Sequence, residues 1–299
     1  MSGILSLPII DLSSPDHHSA AISIRQACIE HGFFYLVNHG VEKDLVTAFD
    51  ESKRFFSLPL EEKMKLARKE SRGYTPLDPT LGSKGDSKES YYIGSLADST
   101  SVNLNQWPSE ELLRNWRHSM ESLYWKLFGV GKKLFSLIAL SLNVDEDFFE
   151  KIGAINKPSA FLRLLRYPGD MGPHEEICSA HSDFGALTLL MTDGVPGLQI
   201  CRDKSKEPRV WLDVSHMEGG FIVNIGDLME RWTNCLYRST LHRVKRTGNE
   251  RYSMALFLDP HPDCVVQCIE SCYSESSPPR FAPIRSGDYM DERSRISPV

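Results

Sequence analysis

Two stretches of the chain carry residues suited to gripping one ion: His181-Ser182-Asp183 and, about sixty residues on, His242 in Ser239-Thr240-Leu241-His242-Arg243-Val244. On a strand, side chains at i and i+2 face the same side. His181 and Asp183 can then touch one ion, and a neighbouring strand can bring His242. Two imidazoles and one carboxylate on one face leave the other face open, the arrangement that suits a non-heme Fe(II) oxygenase.

A second pair of residues follows shortly after. Tyr237 to Val244 and Arg251 to Leu258 read as two strands flanking Lys245-Arg246-Thr247-Gly248-Asn249-Glu250. If they form a hairpin centred on Gly248-Asn249, His242 lies across from about Ala255. Arg251, Ser253, Ala255 and Phe257 then share the face that His242 looks onto. An inward Arg among apolar neighbours is costly unless it meets an anion. Its planar fork suits a carboxylate, and Ser253 can donate to the same group. A metal ligand at one end and a carboxylate clamp deeper in would together take a 2-oxo diacid.

These residues need a scaffold. Leu7 to Leu12 reads as a short strand, about Ser19 to His31 as a helix ended by Gly32, and Phe33 to Val37 as a strand. Glu42 to Phe56 is a second helix, and Pro59 opens a third with Glu61 and Glu62 in its first turn. Arg72 to Asn105 is irregular apart from Tyr91-Tyr92-Ile93, which read as a strand edge. A long helix spans about Pro108 to Leu142, with Trp107, Trp116 and Trp125 as packing residues, and Asp145 caps a short helix through Lys151. From there, short β-rich runs alternate with turns: Phe161 to Tyr167, Ala186 to Met191, Leu198 to Cys201, Val210 to Val214, Phe221 to Ile225, the two strands above, and Arg280 to Ile284. The expectation is a mixed α+β fold. A double-stranded β-helix, or jelly roll, is buttressed by a helical N-terminal half and the long helix. Residues 1–152 and 153–299 form its two regions, in one structural unit.

The whole chain narrows the choice of function. It has 299 residues, 41% hydrophobic and 25% charged, and a formal net charge of -6, as expected of an ordinary globular protein. No basic face suggests a nucleic-acid partner. No stretch reaches the roughly twenty apolar residues of a membrane span, and the first residues lack the look of a signal peptide. The expected location is the cytosol, with the nucleus as a second compartment, and the expected state is a monomer. Seven Cys then read as reduced thiols. Cys264, Cys268 and Cys272 are spaced by four, which departs from the C-x3-C-x2-C pattern of radical enzymes, so ordinary thiols are preferred to a metal site. His31, His39 and His174 are not obvious ligands, and Asp227 reads as a turn or hydrogen-bonding residue.

The flanking residues add a resemblance over nearly the whole chain. Pro8-Ile9-Ile10-Asp11-Leu12, Gly32-Phe33-Phe34-Tyr35-Leu36-Val37-Asn38-His39-Gly40, His181-Ser182-Asp183-Phe184-Gly185, Val223-Asn224-Ile225-Gly226-Asp227, His242-Arg243-Val244 and Arg251-Tyr252-Ser253 occur in order. In these the chain resembles the plant-type 2-oxoglutarate- and Fe(II)-dependent dioxygenases, the superfamily that includes isopenicillin N synthase. The resemblance implies His181, Asp183 and His242 as iron ligands. It implies Arg251 and Ser253 as the clamp for the distal carboxylate of 2-oxoglutarate, with Tyr167 also on the co-substrate. It implies O2 as oxidant, ascorbate as a reductant, and a small organic substrate that is hydroxylated near Tyr92 and Phe257 while 2-oxoglutarate becomes succinate and CO2. Four positions depart from the family pattern: Leu165 stands where the family has Asn, Arg166 where it has Tyr, Gly169 where it has Pro, and, more mildly, Phe184 where it often has Tyr or Pro. Two alternatives compete: an iron oxidase that needs no 2-oxoglutarate, and a ligand-binding protein on an inactive scaffold.

Overall fold

The computed structural model describes residues 3–77, 88–97, 103–157, 159–169 and 176–296. Its centre is a pair of β-sheets. The strands from β6 (Ser159–Tyr167) to β13 (Arg251–Asp259) cross repeatedly between them. β7 (Glu176–His181), β9 (Leu198–Cys201), β10 (Trp211–Val214) and β12 (His242–Lys245) lie in the smaller sheet. β8 (Leu187–Thr192) and β11 (Phe221–Ile225) join β6 and β13 in the larger. That alternation is the winding of a double-stranded β-helix. Earlier strands extend the sheets. β1 (Ile4–Leu5) pairs with β10, while β2 (Ile9–Asp11), β3 (Phe33–Val37), β4 (Gly73–Thr75) and β5 (Glu89–Ile93) flank the larger sheet, giving the order β2-β3-β11-β8-β13-β6-β5-β4. A small ribbon pairs β14 (Val265–Val266) with β15 (Ile284–Arg285).

The principal core lies between the larger sheet's outer face and the helices. α1 (His17–Glu30), α2 (Glu42–Phe56) and α4 (Trp116–Ser141) pack there, with α3 (Leu60–Met64) and α5 (Phe148–Lys151) at the margins. α4 buries Met120, Leu123, Leu127, Leu134 and Ile138, a stripe at helical spacing. This stripe meets the outward row of the sheet, including Leu162, Leu164, Met254, Leu256 and Leu258. The space between the two sheets is packed more lightly. Phe33, Leu198 and Ile222 belong to one small cluster, and Leu165, Tyr167 and Val244 form another. Room for a site remains between them.

Several sequence expectations need correction. The long helix starts at Trp116, because Asn115 has left-handed backbone geometry, φ 61°. The short helix after it starts at Phe148. The Asp145 side chain caps no N–H there and instead pairs with Lys151 at 2.9 Å, while its carbonyl accepts the Phe148 N–H. Tyr237 to Leu241 is not strand. Thr233 Oγ1 accepts the Tyr237 N–H, while the side chains of Ser239 and Thr240 donate to Asp227 and the His31 carbonyl. The last strand is Ile284–Arg285, followed by α7 (Ser286–Ile296). The end of α1 is as expected: Gly32 has φ +68°, and its N–H reaches the Ala27 carbonyl at 3.0 Å.

The expected hairpin is also absent. β12 pairs with β7 and β9, placing His242 opposite His181 and Ile200. β13 pairs with β6 and β8, placing Ala255 opposite Arg163 and Leu190. The segment 246–250 is therefore a crossing from one sheet to the other, and His242 faces the β13 residues across the sandwich.

Candidate active site

β7 ends at His181, so His181 and Asp183 do not sit on one strand as their spacing suggested. Asp183 lies in the following loop. The Asp227 N–H, at the start of α6 (Asp227–Trp232), bonds the Asp183 carbonyl at 2.8 Å. The two backbones approach closely at glycines: a Cβ at Gly226 would run into the Gly185 carbonyl, and one at Gly185 into the Asp259 carboxyl.

Asp183 Oδ1 lies 3.8 Å from His181 Nε2 and 3.7 Å from His242 Nε2. The three ligand atoms fall within 4.8 Å of one another, and among the described residues no other group of His, Cys, Asp or Glu does so. Cys264, Cys268 and Cys272 therefore do not converge on an ion. The tautomers are set from behind. His181 Nδ1 faces the Ser179 carbonyl at 2.8 Å and His242 Nδ1 the Thr240 carbonyl at 3.2 Å. Each Nδ1–H is thus spoken for, leaving both Nε2 lone pairs directed at the cluster. Asp183 Oδ2 accepts from Thr188 Oγ1 at 2.6 Å and Asn224 Nδ2 at 2.7 Å, which leaves Oδ1 for an ion. Burial works to raise the Asp183 carboxyl, but the two imidazoles and these hydrogen bonds hold it below its ordinary value. Burial, and then the neighbouring His181, push His242 down to about 4. A neutral imidazole beside an ionised carboxylate is what a divalent metal requires, so the donor set fits Fe(II).

Two cavities meet at these donors. The narrow one runs between the sheets and is lined by Leu165, Tyr167, Leu198, Val244, Arg251 and Ser253. Arg251 is 3% exposed. Its Nη1 bonds Ser253 Oγ at 3.2 Å, its Nε the Val195 carbonyl at 3.3 Å, and its guanidinium lies 5.0 Å from the Tyr167 ring centroid. No described carboxylate pairs with it. A buried cation without a counter-ion is expensive, and here it stands ready for an anion. Leu165, opposite Ser253, adds only apolar wall. Arg166 points elsewhere: it pairs with Glu89 at 2.6 Å and with Glu250, and Glu89 also takes Lys63 at 2.7 Å and the Tyr74 hydroxyl.

The wide cavity, about 660 Å³, opens on the other side of His181 and Asp183. Tyr92 and Phe257 line it, together with Phe161, Arg163, Phe184 and Asp259, and α7 forms one wall. Sequence reasoning missed Arg163, Asp259, Thr188 and Asn224. For Arg163 and Asp259 a signal existed: both are charged residues at inward parity on their strands.

The other histidines and Asp227 serve the framework. The His39 ring stacks on Phe221 at 3.7 Å and its Nε2–H donates to the Gly219 carbonyl at 2.8 Å. His31 lies beside Glu30, and His174 falls outside the described residues. Asp227 accepts from Ser239 and from Tyr289 of α7 at 3.1 Å.

The site and winding together define an iron-dependent oxygenase, and comparison with known proteins names the family. Residues 7–110 match the non-haem dioxygenase in morphine synthesis N-terminal model, and residues 158–260 the 2OG-Fe(II) oxygenase superfamily model. Azadirone synthase LFS of Melia azedarach is 38% identical over 97% of this chain and 92% of its own. Kihadalactone A synthase LFS of Citrus sinensis is also 38% identical, over 98% and 92%. Among solved structures, a full-length Neurospora crassa protein in complex with alpha-KG and thymine superposes with a TM-score of 0.87 at 26% identity, covering 98% of this chain and 97% of that one. The chain belongs to the 2OG-Fe(II) oxygenase superfamily and is a 2-oxoglutarate- and Fe(II)-dependent dioxygenase.

Proposed function

We propose that His181, Asp183 and His242 hold the iron, that Arg251 and Ser253, with Tyr167, hold the distal carboxylate of 2-oxoglutarate, and that a small organic molecule is hydroxylated beside Tyr92 and Phe257. The observation that carries this reading is the convergence of three pre-oriented donors at the junction of two cavities, one ending on an unpaired buried Arg251. When bound, the iron and 2-oxoglutarate supply the oxidising chemistry, in which the co-substrate is decarboxylated to succinate as oxygen goes to the substrate.

The chain's own contribution is positional. Ser179 and Thr240 fix the imidazoles, and Thr188 and Asn224 fix the carboxylate. Arg251 supplies a forked donor pair already tethered to Ser253. Leu165, Tyr167, Leu198 and Val244 keep water from the co-substrate side. Residues 1–152 and 153–299 act as one unit, since β2 to β5 share the sheet of β6 and β13. A monomer working in the cytosol or nucleus, with no nucleic-acid or membrane partner, completes the reading. Among the described residues no helix is long and apolar enough to cross a membrane.

The test is anaerobic metal titration followed by assay of O2-dependent succinate release. Asp183→Ala is expected to lose metal uptake and turnover. Arg251→Ala is expected to weaken 2-oxoglutarate about tenfold or more, the cost of removing a charged hydrogen-bond partner. Unchanged metal uptake in Asp183→Ala would falsify the assigned ligand set.

A further inference from the structure

The inward residues of β13 and β6 stand opposite each other in register: Arg251 with Tyr167, Ser253 with Leu165, Ala255 with Arg163, Phe257 with Phe161, Asp259 with Ser159. The first two pairs line the narrow cavity and the last two the wide one, while Arg163 lines both. Rungs two residues apart are separated by about 7 Å along a strand, so Arg163 guards the boundary between the cavities.

Its guanidinium makes no hydrogen bond or ion pair with any described residue. Nε is buried without a partner, and the group lies over the Tyr92 ring, 4.5 Å from its centroid, a ring that Arg68 also approaches at 4.3 Å. Tyr92 is 7% exposed, and its own hydroxyl is buried without a partner. Arg166, three residues along the same strand, has two carboxylate partners, whereas Arg163 on the wide cavity, like Arg251 at the end of the narrow one, has none among the described residues. The nearest inward carboxylates are committed or distant. Asp183 is occupied by the imidazoles, Asn224 and Thr188. Asp259 lies two rungs away, about 13 Å along the strand. It is 5% exposed, and its carboxyl bonds no described residue. Asp288 and Asp291 also line the wide cavity, with Arg285 beside Asp288 at 3.8 Å, while Arg68 joins Arg163 in the lining.

We propose that the primary substrate is a carboxylic acid whose carboxylate is bound by Arg163, with the Tyr92 hydroxyl donating to the same group. Phe161 and Phe257, one rung further, grip its apolar body beside His181 and Asp183. A forked guanidinium held against a ring is preorganised for bidentate carboxylate binding. An anion is attracted to this end of the cavity, where Arg68 also stands on the Tyr92 ring. The inference rests on the dioxygenase reading and names the substrate class for that site.

The experiment separates a metabolite extract by anion exchange into acidic and neutral pools. Metal-free protein is incubated with each pool, and molecules retained on ultrafiltration are identified by mass spectrometry. Succinate release is then measured with Fe(II) and 2-oxoglutarate. The expected result is retention and turnover from the acidic pool, lost when that pool is methyl-esterified. Arg163→Ala should lower both about tenfold or more, with Arg163→Lys recovering part of the retention. Arg163→Met keeps the side-chain length and serves if the Ala variant does not fold. Retention of neutral molecules, or equal retention by the variants, overturns the proposal. So does a tenfold loss of 2-oxoglutarate affinity in Arg163→Ala, measured by calorimetry with Mn(II), because Arg163 would then belong to the co-substrate. Failure of the underlying reading looks different: wild-type protein would bind neither Mn(II) nor 2-oxoglutarate.

Discussion

Asp183 has two oxygens with separate duties, one turned to the imidazoles and the other tied to Thr188 and Asn224. Asn224→Ala should leave the carboxylate free to rotate and weaken metal binding by roughly 10- to 100-fold, read as the midpoint of an Fe(II) titration. An unchanged midpoint would mean that the loop backbone alone orients Asp183. Arg251→Lys keeps the charge but removes the fork, so the KM for 2-oxoglutarate should rise about tenfold, measured by succinate release. Asp259 offers a pH test. Burial and the nearby Asp183 raise its carboxyl from 3.8 to about 7. Between those values the folded chain holds more protons than the unfolded one, so stability falls as pH rises through this window, and the penalty is complete above it. Asp259→Asn should therefore raise the melting temperature of metal-free protein at pH 8 and leave it nearly unchanged at pH 4. Equal gains at both would contradict a charge penalty. Residue types made His181, Asp183, His242, Arg251 and Ser253 legible in the sequence. Thr188 and Asn224 were not, because their value depends on which strands become neighbours.

At the scale of elements, local patterns were read well where local forces decide. α2 spans Glu42–Phe56 and β9 and β11 span Leu198–Cys201 and Phe221–Ile225, as periodicity and β-rich runs suggested. The reading failed where tertiary contacts overrule local sequence. β12 and β13 looked like a hairpin, yet each found partners in a different sheet. The segment before His242 looked like strand, but its hydroxyls bond Asp227 and His31. The apolar stripe of α4 was legible too, although the helix begins at Trp116 and not near Pro108. Leu134 is fully buried in the core between the helices and the sheet. Leu134→Ala should cost about 2–5 kcal/mol by cavity formation, seen as a lower urea midpoint, with the KM for 2-oxoglutarate unaltered in the folded fraction. A matched rise in KM would show that the helix layer also shapes the site.

Across the whole molecule, the two faces of the larger sheet do different work. On β13, Tyr252, Met254, Leu256 and Leu258 belong to the principal core, while Arg251, Ser253, Ala255, Phe257 and Asp259 line the cavities. β6 repeats the division, with Ala160, Leu162 and Leu164 in the core and Ser159, Phe161, Arg163, Leu165 and Tyr167 on the cavity side. Saturation mutagenesis of these two strands should produce alternating phenotypes, abundance falling at one parity and turnover at the other. Loss of abundance at both parities alike would contradict the division. Such a separation bears on how a lineage can change its chemistry. Inward positions on the wide cavity can be exchanged without spending the stability that the outward row provides, so new substrate preferences can arise on an undisturbed frame. On β13 the positions open to innovation are those on the wide cavity, Phe257 and Asp259, while the even-numbered ones are the inheritance that makes it survivable.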